Sequence, residues 1–192
     1  SYSNRPVTID YLQATPGGTN LIANNTIDFS YSSSSTSYGC LVFGYQVTNG
    51  QNLVIANNYF KNVYSSTSTA ITAGSSISNA LIANNQYYAG LFAASYFSNS
   101  SLVDNGTSSV NWTYNSTTGI ISSSSAVNLG LDQIEYRDID NTRNDIGTSG
   151  GPHAWSNYNT TTGKAAVFNL ELPFQLYIGG NHNIKAKGFN KN

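Results

Sequence analysis

The string Ile-Ala-Asn-Asn occurs three times in this chain, at residues 22–25, 55–58 and 82–85, each time behind an apolar residue (Leu21, Val54, Leu81). The intervals between copies are 33 and 27 positions. A literal string recurring every few tens of residues signals stacked repeats, in which one copy cannot bury its inner face and its neighbours complete the core. Nothing in the repeats has helical period. Apolar residues alternate over short windows (Leu53 and Ile55; Leu41, Phe43 and Tyr45), and β-branched and aromatic types dominate. Strands of about five residues, three to a repeat, fit these intervals.

Parallel strands about 4.8 Å apart and in register set like residue over like, which accounts for a literal Asn-Asn. Asparagine tolerates the left-handed backbone of a tight corner. Its side-chain amide can donate to one neighbouring copy and accept from the other, as in stacked asparagine ladders. Asn24, Asn57 and Asn84, with their partners Asn25, Asn58 and Asn85, are therefore read as a structural ladder and not as ligand contacts.

The first repeat covers residues 20–51, the second 52–78, and the third begins at Asn79. The Ser-rich stretch 30–37 is longer than its counterpart at 65–69, which explains 33 against 27 as a loop bulging from one repeat. Ahead of the repeats lie the apolar stretch 7–9 and a Pro16-Gly17-Gly18 turn. Residues 101–130 are less regular, and residues 165–172 and 175–178 read as strands around Pro173.

Charged residues make up only 9% of the 192, net charge is −1, and aromatics are 12%, with 14 Tyr. Disordered chains combine high net charge with few aromatics, so disorder does not fit. Eight Lys and Arg cannot build a nucleic-acid footprint, and no apolar run reaches the length of a membrane span. A surface of hydroxyls, amides and Tyr fits a β-rich extracellular protein. The lone Cys40, between Gly39 and Leu41-Val42-Phe43, reads as a small buried residue. With no Met and no signal segment, the chain reads as a processed or excised piece of a longer secreted protein.

Residues 52–60, Asn-Leu-Val-Ile-Ala-Asn-Asn-Tyr-Phe, resemble the repeat of right-handed parallel β-helix (pectin-lyase-like) proteins, and the likeness extends over about residues 20–102. Residues 138–152 resemble the closing segment of secreted bacterial β-helix proteins, roughly Asp-x-Asp-Gly-x-Arg-x-Asp-[Ile/Met]-Gly-Ala-x-Gly-Gly-Pro. Asp138, Asp140, Arg143, Asp145, Gly147, Gly150, Gly151 and Pro152 match; Asn141 stands where Gly is usual and Thr148 where Ala is usual. Residues 123–130 resemble the piece that precedes that segment, without its Pro. The resemblance implies an all-β chain: a β-helix with its closing segment at 1–152, and a β-rich tail or the start of a following sandwich at 153–192. Such chains occur in surface proteins of the Bacteroidetes type. The fold hosts enzymes, tailspikes and adhesins alike, so it does not fix function.

Candidate chemistry is sparse. Asp138, Asp140 and Asp145 suit a calcium ion, since closely spaced carboxylates and loop carbonyls hold hard cations. The competing reading is an Asp-rich turn in which Arg143 pairs with a carboxylate and fixes the end of the β-helix. No other cofactor is expected. Polygalacturonase-like β-helices carry Asn-Thr-Asp, Asp-Asp, Gly-His-Gly and Arg-x-Lys strings, and none occurs here, so no catalytic residue is assigned. His153 and His182 read as surface or hydrogen-bond-satisfied histidines. Tyr31, Tyr38, Tyr45 and Tyr64 are candidates for glycan stacking, as are Tyr59, Tyr87, Tyr88 and Tyr96, against the alternative that they are core residues. Six glycosylation sequons begin at Asn24, Asn99, Asn105, Asn111, Asn115 and Asn159. The expectation is a non-enzymatic extracellular surface protein whose partners are glycans or further copies of itself, with no nucleic-acid partner and no membrane insertion. The rival is a polysaccharide lyase or glycoside hydrolase with its active site upstream or near residues 138–145.

Overall fold

Ile22, Ile55 and Ile82 are direct partners in one parallel sheet of the computed structural model. Two compact units divide the chain, Ser1–Ala154 and Trp155–Asn192. The structure describes residues 7–9, 18–29, 40–44, 52–62, 69–88, 93–106, 110–152 and 154 of the first, and two strands of the second.

Twelve short strands build the described part of the first unit: β1 (Val7–Ile9), β2 (Asn20–Ala23), β3 (Thr26–Phe29), β4 (Leu41–Phe43), β5 (Leu53–Ala56), β6 (Tyr59–Asn62), β7 (Ile71–Ala73), β8 (Ile77–Ser78), β9 (Leu81–Ala83), β10 (Gln86–Tyr88), β11 (Phe97–Ser98) and β12 (Ser101–Val103). They run two to four residues, shorter than the five expected, because a left-handed corner interrupts each repeat. Three parallel sheets collect equivalent strands in the orders β1-β4-β7, β2-β5-β9-β12 and β3-β6-β10, and a fourth pairs β8 with β11. The fold of the described residues is thus all-β with parallel sheets, apart from three single 3-10 turns.

Alternation sorts the side chains, since successive residues of a strand point to opposite faces. Leu41, Phe43, Leu53, Ile55, Phe60, Ile71, Ile82 and Tyr87 form one buried cluster between the sheets. Burial of each such side chain stabilises by about 1.5–3 kcal/mol. The opposite faces carry two further clusters. Tyr59 packs with Trp112, Ile121, Ala126 and Ile146; Val54, Ala56 and Ala83 pack with Leu131, and Tyr136 lies against them. The chain after β12 therefore runs back over the outside of two sheets. This irregular stretch contains no strand within residues 110–152.

In the second unit, β13 (Ala166–Glu171) and β14 (Lys185–Phe189) pair antiparallel. The strand expected at 175–178 lies outside the described residues.

Candidate functional site

The two asparagines of each string divide the corner between them. The first turns the backbone: φ is 55° at Asn24, 56° at Asn57 and 51° at Asn84. The second carries the ladder. Nδ2 of Asn25 donates to Oδ1 of Asn58 (2.9 Å), Asn58 to Asn85 (2.9 Å), and Asn85 to Asn105 (2.9 Å). Each acceptor oxygen also takes the backbone N–H of the preceding asparagine, at 3.0–3.2 Å. Nδ2 of Asn58, Asn85 and Asn105 donates its other hydrogen to Ile22, Ile55 and Ile82 carbonyls, at 2.7–2.8 Å. Asn105 is thus a fourth member that the repeated string does not announce. Asp104 (φ 44°) replaces the first asparagine there, and the interval has fallen to 20. A second left-handed corner, at Asn52, Asn79 and Asn99, lies five residues before the first in each later repeat; that recurring five-residue spacing is the signal that could have found both.

The first asparagines face the segment that covers them. Asn24 Nδ2 donates to Asn144 Oδ1 (2.7 Å) and to the Asp145 carbonyl (3.0 Å). Asn57 Oδ1 accepts from the Leu131 N–H (2.7 Å), and its carbonyl from the Gly147 N–H (2.8 Å). Asn84 Nδ2 donates to the Leu129 carbonyl (3.1 Å). Asn144 is fully buried at the centre of this contact, donating also to the Tyr136 carbonyl. The contact is too close for side chains at its glycines. A Cβ on Gly150 would meet the Asp145 carbonyl and lie 2.6 Å from Asn24 Nδ2; one on Gly130 would lie 2.7 Å from the Asn144 carbonyl. Gly147 and Gly151 have φ of 83° and 80°, and Asn141, where Gly is usual in the resembled segment, has φ 67°.

Arg143 pairs with no carboxylate among the described residues, correcting that part of the Asp-rich-turn expectation. Its guanidinium donates to the Gly130 (2.6 Å) and Leu129 (3.4 Å) carbonyls, tying the covering segment to itself. An ion pair joins Arg137 to Asp132 (3.0 Å). Each of the three aspartates serves a turn. Asp138 accepts from the Gly151 N–H, Asp145 from the Asn128 N–H (2.7 Å), and Asp140 from the Thr142 N–H (3.0 Å) and hydroxyl (2.6 Å). Among the described residues no three of His, Cys, Asp and Glu converge as a metal-ligand set. Desolvation raises the Asp138 and Asp145 carboxyls, helped by repulsion among the aspartates, whereas the Thr142 hydroxyl holds Asp140 low.

A second polar group, which sequence reasoning did not assemble, sits on the outer face of the β3-β6-β10 sheet. Asp28, Lys61 and Tyr88 are lateral neighbours in register. Tyr114 reaches them from the covering segment. Its hydroxyl donates to Asp28, and that bond, ahead of desolvation, pushes the phenol up to about 12. Lys61 Nζ stands 5.3 Å from the centre of the Tyr114 ring and 5.8 Å from that of Tyr88. All four are half-buried, offering ring faces beside a cation and a carboxylate. Tyr59 is a core residue: its hydroxyl donates to the Val110 carbonyl (2.9 Å) and accepts from the Trp112 N–H (3.0 Å). Tyr87 is buried too, Tyr96 is half-buried against the same core, and Cys40 is buried with its thiol pushed up to about 12 by desolvation. Tyr31, Tyr38, Tyr45, Tyr64, His153 and His182 lie outside the described residues.

No protein-family model, curated protein or solved structure matches this chain.

Proposed function

We propose that this chain is a short right-handed parallel β-helix from an extracellular surface protein, non-enzymatic, and active in adhesion, assembly or glycan contact. The observation that carries this reading is where the conspicuous polar residues spend their hydrogen bonds. Six asparagines of the three strings, the aspartates and Arg143 all bond to the chain itself. A repeat stack braced in this way is a rigid platform, and its polar, weakly charged exterior suits contact with sugars or neighbouring proteins. The handedness is taken from the resemblance of residues 20–102. The test is incubation with a panel of neutral and uronate-containing polysaccharides. Retarded migration through a polysaccharide gel, with no new reducing ends and no unsaturated sugar, is the expected result.

One observation favours the rival reading as a carbohydrate-active enzyme. Asp28, Tyr114 and Lys61 put an acceptor, a hydroxyl and a cation on one outer patch, the kinds of group that general acid–base chemistry on sugars uses. Product release that is lost in Asp28→Asn or Asp140→Ala would establish the enzyme and overturn the structural module. Calcium at Asp138, Asp140 and Asp145 is compatible with either reading, because a cation beside them would offset the burial, and the lesser mutual repulsion, that raise the Asp138 and Asp145 carboxyls. Exhaustive chelation then lowers the melting temperature; an unchanged melt removes calcium from the account.

A further inference from the structure

We infer that the outer face of the β3-β6-β10 sheet binds a glycan through one acidic sugar, whose carboxylate or sulfate ester is held by Lys61 beside the rings of Tyr88 and Tyr114. The inference rests on the structural-module reading and deepens it by naming the ligand class and the place where it docks. Three cationic side chains lie in the described part of the first unit. Two of them are committed to the chain: Arg137 pairs with Asp132, and Arg143 donates to the Gly130 and Leu129 carbonyls. Lys61 is different. Among the described residues its Nζ has no carboxylate or carbonyl partner, only the Tyr114 and Tyr88 rings at 5.3 and 5.8 Å from their centres. Ring quadrupoles hold an ammonium in place, but they neither cancel its charge nor give its three N–H donors an oxygen. Lys61 stands on the middle strand of its sheet, with Tyr88 beside it on β10 and Asp28 beside it on β3. The Tyr114 hydroxyl donates to Asp28 and so engages the neighbouring acid that would otherwise neutralise the lysine.

These groups select among glycans. The ammonium takes a carboxylate or sulfate oxygen through charge-assisted hydrogen bonds. The tyrosine rings suit the C–H face of a sugar, and the Tyr88 hydroxyl, which has no hydrogen-bond partner among the described residues, suits one of its hydroxyls. Lys61, Tyr88 and Tyr114 are each half-buried, so salt screens an ion pair made there less than one at a fully exposed site. Asp28 limits how much negative charge the ligand can carry, because it lies one strand away, about 4.8 Å. The first unit as a whole has eight Asp and Glu against four Lys and Arg. A densely charged polyanion is therefore repelled. The ligand that fits is a chain in which an acidic sugar is spaced among neutral ones.

The experiment is an NMR titration of the whole chain, following the side chains of Lys61, Tyr88 and Tyr114. The probes are methyl glucuronide and glucose 6-sulfate, with methyl glucoside as the neutral control and sodium sulfate as the free anion. The acidic sugars are expected to shift all three side chains and to bind more tightly than either control. No shift from either acidic sugar overturns the inference. So does a glucoside that binds equally well, or a sulfate ion that reproduces the whole effect, which would mean an adventitious ion only. Lys61→Gln should weaken binding roughly tenfold or more, the loss of one charge-assisted hydrogen bond; unchanged affinity overturns the inference. Tyr114→Phe releases the Asp28 carboxylate toward Lys61 and should weaken binding, and adding Asp28→Asn in that background should restore it. If Tyr114→Phe loses its β circular dichroism, Asp28→Asn alone decides: tighter binding of the acidic sugars supports the site, and unchanged or weaker binding overturns it. A chain that binds no acidic sugar and releases no sugar product sinks this site alone; a chain that releases product sinks the structural reading whatever it binds.

Discussion

An asparagine amide offers two hydrogens and two lone pairs, and Asn58 uses all four. It accepts from the Asn25 N–H and Nδ2 and donates to Asn85 and to the Ile22 carbonyl. Asn58→Ala would orphan several of these buried groups at once, at about 1–3 kcal/mol each, so a loss of at least ~3 kcal/mol is expected in urea unfolding. Asn25→Ala, at the half-buried end of the ladder, should lose less than half as much. Equal losses would mean that the ladder does not act as a connected chain. The literal string was readable because identical residues are what an in-register ladder demands. Asp104-Asn105 was not, because only the second residue of the pair must be asparagine for the ladder to continue.

At the scale of elements, the covering segment is fastened by hydrogen bonds to the corner and by Trp112, Ile121, Leu131 and Ile146 on the sheet faces. Overpacking typically costs about 1–3 kcal/mol, and the cost depends on what must move. Gly150→Ala drives a Cβ into the Asp145 carbonyl, which is backbone, and should reach or pass the top of that range. Gly106→Ala meets only the Gln86 side chain, which can shift, and should fall near the bottom. Thermal melts of the two variants check the order. The segment is also sensitive to pH. The folded carboxyls of Asp138 and Asp145 lie above the ordinary 3.8. For an acid so raised, the folded state binds the proton more tightly. The stabilisation is complete below 3.8 and is lost as pH rises through the raised value. Urea midpoints should therefore carry a component that increases as pH falls toward 3.8, and Asp138→Asn should flatten it. The resembled pattern made the glycines of this segment visible. Asn144 and Trp112 were invisible, because their partners Asn24 and Tyr59 are distant in sequence and no periodicity links them.

For the whole molecule, the alternation of apolar residues and the spacing of the strings made parallel stacking of repeats legible, since register follows directly from where Ile22, Ile55 and Ile82 fall. What the spacing could not supply is the layer outside the sheets. That layer comes from a stretch with no repeat, and it is where the Asp28, Lys61, Tyr88 and Tyr114 group is completed. The compact unit Ser1–Ala154 contains the stack and its covering segment, so residues 1–154 produced alone should keep a β circular dichroism spectrum and a single cooperative melt. A non-cooperative melt would mean that residues 155–192 are required for folding.

The covering segment touches Asn84 through Leu129, Asn57 through Leu131 and Gly147, and Asn24 through Asn144 and Asp145. It thereby works as a gauge. Repeats can in principle be duplicated or deleted without consulting distant residues, because each corner addresses only its neighbours. Here one fixed length of chain is measured against three successive corners. A duplicated repeat inserted between Asn24 and Asn84 would put a surplus asparagine under a strap cut for three, so the count of repeats beneath it is constrained together and not copy by copy.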